Sequence, residues 1–126
     1  MRKDRNRCGG GAVLFIKDHL SFTNWSDLVP PTLEMICIEL HLPHSKSFLV
    51  STWYRPPNSD IKTFDDYESF LDKCDLENKE LIIVGDYNCD MSKPSEIRNY
   101  DCYLSAFMGH LKINNNPSPS HFIFQQ

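Results

Sequence analysis

At 126 residues the chain has the length of a single domain with one core. Hydrophobic residues make up 40% and charged residues 24%, a folded composition that excludes a disordered polymer. A formal charge of −4 and a pI near 5.6 exclude any general attraction for a polyanion, so a nucleic-acid contact must be made by local groups.

The basic residues Arg2, Lys3, Arg5 and Arg7 form the one positive run, read as a solvated, frayed N-terminus. They lead into glycines and a short apolar run, a pattern unlike a secretory signal, and no segment has the length of a membrane span. Cysteines 8, 37, 74, 89 and 102 are odd in number and lack a CxxC, which suggests neither a zinc site nor a disulfide framework. A reducing intracellular location, nuclear or cytoplasmic, is expected from this usage. Cys37 and Cys74 fall on predicted core faces.

In chain order, "GGGAVLFIK" predicts a strand over residues 11–17 after a flexible glycine approach. "VPPT" is a break. "LEMICIELHL" alternates, with Ile36, Ile38, Leu40 and Leu42 on a fully buried face and Met35, Cys37, Glu39 and His41 on a mixed one. After the turn "LPHSKS", "FLVSTWY" predicts an antiparallel partner strand, stopped by Pro56 and Pro57. The period then changes. Phe64, Tyr67, Phe70, Leu71 and Cys74 recur at helical spacing, with Thr63 as the expected N-cap. "ELIIVG" reads as a strand buried on both faces, and strand–helix–strand order predicts a right-handed crossover. A second helix is expected through "SEIRNYDCYLSAFMGHL", followed by an Asn/Pro/Ser-rich tail in which residues 122–124 turn apolar again. The fold class is α/β, with strands outnumbering helices.

Two strand ends carry chemistry. In "VGDYN", Gly85 permits close approach, and an extended chain would aim Asp86 and Asn88 the same way with Tyr87 turned inward. A carboxylate there can orient a water or help hold a metal, and an amide can fix the carboxylate or donate to a phosphate oxygen. A plain turn explains the same residues equally well. In "TWYRPP", Tyr54 and Arg55 could reach a phosphate; alternatively Tyr54 caps the core and Arg55 is solvated.

Taken in order, "GGGAVLFI", "LEMICIEL", "STWYRPP", a helix and "LIIVGDYN" resemble the endonuclease/exonuclease/phosphatase superfamily, and more narrowly the endonuclease domain of non-LTR (LINE-like) retrotransposons. The likeness runs from about Arg7 to about Asn115, with Tyr87 in place of the usual Phe. It implies a four-layer α/β sandwich, of which this chain would be a partial domain with core residues about 9–115 and irregular ends 1–8 and 116–126. It also implies Mg²⁺-dependent cleavage of phosphodiester bonds in DNA. By this likeness Asp86 orients the attacking water, Asn88 helps stabilise the phosphorane, Tyr54 lies beside the scissile phosphate, and Arg55 is a weaker phosphate contact.

The same likeness implies residues that this sequence does not show. The family's metal-binding Glu precedes the glycine strand, and none of residues 1–8 is Glu. Its final Asp and Asp-His pair would lie beyond Gln126. Asp18-His19 and Glu34 both follow the glycine strand, at the wrong place for these roles, and read as a surface strand end and an ordinary strand residue. One carboxylate holds Mg²⁺ weakly. The expectation is a nuclease-domain segment that cleaves poorly or not at all alone, with an exposed apolar sheet face and no stable protein partner or membrane contact. The alternatives are a non-catalytic α/β binding module derived from that domain, and a lipid- or sugar-phosphate phosphodiesterase of the same superfamily, against which "YRPP" argues.

Overall fold

The computed structural model describes residues 1–4, 11–86, 88 and 121–125, the last of these as backbone. The second expected helix, Tyr87 and Cys8, Cys89 and Cys102 lie outside the described residues.

A five-stranded sheet has the order β3-β4-β5-β6-β7. Its strands are β3 (Ser21–Asn24), β4 (Glu34–His41), β5 (Phe48–Tyr54), β6 (Leu81–Asp86) and β7 (His121–Gln125). β3, β4 and β5 pair antiparallel; β6 pairs parallel with β5, and β7 parallel with β6. A separate two-stranded sheet joins β1 (Arg2–Asp4) and β2 (Gly11–Val13) antiparallel. The mixed α/β class expected from the sequence is present, and its antiparallel hairpin β4–β5 forms as the short loop requires.

Parallel strands need a long crossover. Here it is α1 (Lys62–Leu76), whose buried residues are Phe64, Tyr67, Phe70, Leu71 and Cys74. These are the five that helical periodicity selects. Thr63 is not the cap. The cap position falls two residues earlier, at Ile61, and the Asp60 carboxylate accepts from the Lys62 N–H at 3.0 Å. An Asp just ahead of the first turn satisfies an orphan donor and suits the dipole.

The α1 stripe packs on Met35 and Cys37 of β4, Leu49 and Trp53 of β5, and Leu81 and Ile83 of β6. Trp53 stacks on Tyr67 with ring centroids 4.2 Å apart and meets Phe64 edge-on at 6.2 Å. Each such buried side chain contributes about 1.5–3 kcal/mol through area alone. The thiols of Cys37 and Cys74 meet in this layer, and Cys37 together with burial pushes the Cys74 pKa far up, keeping it a neutral thiol. On the same side, Glu39 accepts from Ser47 and pairs with Lys79 at 2.7 Å, while the Lys79 ammonium sits 4.2 Å from the Trp25 ring centre.

The opposite face carries Ile36, Ile38 and Val50, and the β1–β2 unit covers it with Ala12, Leu14 and Ile16. The expected contrast between faces is absent from residues 35–39, which are buried on both sides. The Met35/Cys37/Glu39 side lies against the helix, and the Ile side is covered over part of its length. β6 is not buried on both faces: Leu81 and Ile83 are buried, whereas Val84 is 41% exposed. Phe22 of β3 is exposed as well.

Both ends depart from the irregular structure expected. Arg2–Asp4 forms β1, the terminal ammonium donates to the Leu14 carbonyl at 2.7 Å, and Lys3 Nζ donates to the Leu33 carbonyl at 2.7 Å. His121–Gln125 forms β7. The glycine-led strand is shorter than expected, ending at Val13 instead of 17, and Phe15 beyond it is 91% exposed.

Candidate functional site at the tips of β5 and β6

The two motifs singled out in the sequence meet. β5 and β6 run parallel and end together, with Tyr54 the register partner of Asp86. α1 separates them in sequence by a crossover, and the shared strand ends bring "YRPP" and "GDYN" to one edge. Gly85 is fixed by this pairing. A Cβ there would lie 1.9 Å from the Trp53 carbonyl oxygen, so no other residue fits without moving a backbone.

Beyond Asp86 the ladder is completed in an unusual way. The Arg55 N–H donates to the Asp86 carbonyl at 2.9 Å, the normal parallel bond. Regular pairing would next send the Asn88 N–H to the Arg55 carbonyl. Instead Asn88 turns to φ 46°, and its N–H donates to Asp86 Oδ1 at 3.0 Å. The Asn88 side chain then supplies the missing donor, Nδ2 to the Arg55 carbonyl at 2.7 Å. Asn tolerates the left-handed region, and an Asp side chain often accepts from the amide two residues on. Asp86 and Asn88 are thus brought together by a turn and not by the alternation of an extended strand.

Arg55 is not solvated. Its side chain is 1% exposed, its Nη1 donates to the Asn88 carbonyl at 3.4 Å, and its guanidinium carbon lies 4.9 Å from the Phe64 ring centre. A phosphate contact would require the guanidinium to leave this seat. Tyr54 is half-buried, while Asp86 and Asn88 are exposed. The turn uses Asp86 Oδ1 and one Asn88 amide hydrogen, which leaves Asp86 Oδ2 and Asn88 Oδ1 outside the turn's bonds.

One carboxylate that sequence reasoning set aside lies in the same row. Glu34 is the register partner of Tyr54, so Glu34, Tyr54 and Asp86 lie side by side across β4, β5 and β6. At about 4.8 Å per strand, the two acidic residues are about 10 Å apart at Cα, with the tyrosine between them. Glu34 also faces Lys3, whose pKa is lowered by burial against the raising effect of the Glu34 charge. The alternation of β4 already placed Glu34 in phase with Ile36 and Ile38; only the register could show that this phase leads to the site.

Asp18 and His19 lie in an exposed turn after β2, and His41 Nε2 is bonded to Thr23 Oγ1 at 2.9 Å. Among the described residues, no group of three or more His, Cys, Asp or Glu side chains could hold a metal ion. No helix among the described residues is long and apolar enough to cross a membrane. Comparison with family models, with curated proteins and with solved structures finds no match to this chain.

Proposed function

We infer that the β5–β6 tip is the phosphate-handling part of a phosphodiester-cleaving domain of the retrotransposon endonuclease type, acting on DNA with Mg²⁺. The observation that carries this reading is the meeting of Tyr54, Asp86 and Asn88 at two adjoining parallel strand ends. Asp86 is the candidate for orienting an attacking water, because its carboxylate is exposed and one oxygen is pinned by a backbone amide. Asn88 keeps a second amide hydrogen for a phosphate oxygen, and Tyr54 is the register partner of Asp86 on the adjoining strand.

Magnesium belongs to this reading through the resemblance. Mg²⁺ is usually held by one or two carboxylates with waters and substrate phosphates, and it would neutralise charge on the phosphate. Asp86, whose Oδ2 lies outside the turn's bonds, is the carboxylate at the tip that would contribute to holding it.

Nicking of supercoiled plasmid in Mg²⁺ tests the reading, using the chain, its Asp86→Ala variant and a longer form carrying flanking sequence. Nicking by the longer form that is lost with Asp86→Ala supports it. Nicking unaffected by Asp86→Ala, or none by any form, overturns it.

A further inference from the structure

We propose that Arg55 is a positioning residue that holds the Asp86–Asn88 turn in its working shape. The proposal deepens the site assignment above and rests on it for its catalytic consequence, although its structural part stands alone.

Among the described residues, three hydrogen bonds connect Arg55 to Asp86 and Asn88. Its N–H donates to the Asp86 carbonyl at 2.9 Å, its carbonyl accepts from Asn88 Nδ2 at 2.7 Å, and its Nη1 donates to the Asn88 carbonyl at 3.4 Å. The first two engage the backbone and any residue could make them. The third needs a long side chain with a donor directed back along its own strand end. A guanidinium at 1% exposure is costly to bury and demands acceptors and a polarisable neighbour. The Asn88 carbonyl accepts from Nη1, and the Phe64 ring lies 4.9 Å from the guanidinium carbon. Phe64 belongs to the first turn of α1. The guanidinium therefore joins the crossover helix, the end of β5 and the turn after β6.

The sequence context requires such a brace. Pro56 and Pro57 follow at once and have no N–H to continue the pairing. Asn88 sits at φ 46°, a conformation that costs a non-glycine residue energy unless neighbours hold it. With the ladder ended and the backbone in the left-handed region, a charged donor on the Asn88 carbonyl fixes where Asp86 Oδ1 meets the Asn88 N–H. Lysine keeps the charge and loses the planar fork; methionine keeps much of the apolar volume and loses every donor.

Amide hydrogen exchange by NMR on the full chain tests the structural part, with Arg55→Lys and Arg55→Met compared with the parent. The probe is the Asn88 N–H. The control is the Leu49 N–H, which donates to the Glu80 carbonyl at 2.7 Å at the far end of the same strand pair. A positioning role speeds Asn88 exchange by about tenfold or more in Arg55→Met, less in Arg55→Lys, with Leu49 unchanged. Unchanged Asn88 exchange in a folded Arg55→Met chain overturns the proposal. If Arg55→Met does not fold, Arg55→Lys is read the same way, and equal acceleration at Asn88 and Leu49 overturns it. In whichever form nicks DNA, Arg55→Lys lowers kcat with KM kept; a change in KM alone overturns the catalytic consequence. Loss of the site assignment shows separately, as nicking that survives Asp86→Ala while Asn88 exchange still responds to Arg55.

Discussion

The Asn88 side-chain amide takes the place of its own backbone N–H in the ladder to the Arg55 carbonyl, at 2.7 Å. This substitution frees the Asn88 N–H to bind Asp86 Oδ1 and so fixes the carboxylate that the proposed chemistry needs. Asn88→Asp replaces the donor with an acceptor against a carbonyl. It is expected to cost about 1–3 kcal/mol, whereas Asn88→Gly, which keeps the backbone freedom, loses about 1 kcal/mol. Urea unfolding of both variants at neutral pH reads the order, and Asn88→Gly costing more than Asn88→Asp would show that the bond to Arg55 is not the determinant.

Gly85 is held to glycine by contact and not by its torsion. With an added Cβ 1.9 Å from the Trp53 carbonyl, Gly85→Ala must separate β5 from β6. The expected loss is about 3 kcal/mol or more, readable as a lower urea midpoint with an unchanged slope. A neutral Gly85→Ala would mean that the strands have room to part.

The aromatic layer under the tip is the stability centre of the helix–sheet interface. Trp53 is buried, stacked on Tyr67 and edge-on to Phe64. Trp53→Ala is expected to cost about 3–5 kcal/mol, enough to unfold a marginal domain. Phe15→Ser, on a ring that is 91% exposed, is expected to stay within about 0.5 kcal/mol. Thermal melts followed by near-UV circular dichroism separate the two.

Acid sensitivity has an assignable contributor. Burial alone would push the Glu39 pKa up, but hydrogen bonds from Lys79 and Ser47, with the charges of Lys79 and His41, outweigh it and hold the carboxyl below its ordinary value. A depressed folded pKa stabilises the protein above the unfolded value of about 4.3, and that contribution disappears as pH falls through the folded value. Because Lys79 is half-buried and screened, the contribution is on the order of 1 kcal/mol. Glu39→Gln is expected to lower stability at pH 7 and to match the parent in strong acid. A constant gap across that range in urea titrations would exclude Glu39 as the contributor.

The helix and the β4–β5 hairpin were legible because each rests on a local period. The spacing of Phe64, Tyr67, Phe70, Leu71 and Cys74 is enough to define a buried stripe. Alternation places Glu39 on one face with Met35 and Cys37, but neither the helix that covers that face nor the partners Ser47 and Lys79, which arrive from separate loops, follow from it. β1, β3 and β7 were not legible. Arg2–Asp4 and Ser21–Asn24 are short and polar, and strands of that kind are defined by the neighbour they pair with. At the site, "YRPP" and "GDYN" could be picked out as residues. Their union depended on the parallel register Tyr54–Asp86, and the burial of Arg55 on the position of Phe64. The chain order of Glu34, after the glycine strand, points away from the site, whereas the register places it beside Tyr54.

The most direct test of the strand-tip assignment is Mg²⁺-dependent plasmid nicking by Asp86→Asn, in whichever form of the protein nicks. The substitution keeps an oxygen to accept from the Asn88 N–H and removes only the carboxylate charge, so the turn is retained. The account expects an unchanged melting temperature and nicking reduced by a factor of about 100 or more. Nicking at the parent rate by a folded Asp86→Asn protein would contradict it, leaving Asp86 and Asn88 as the residues of a turn.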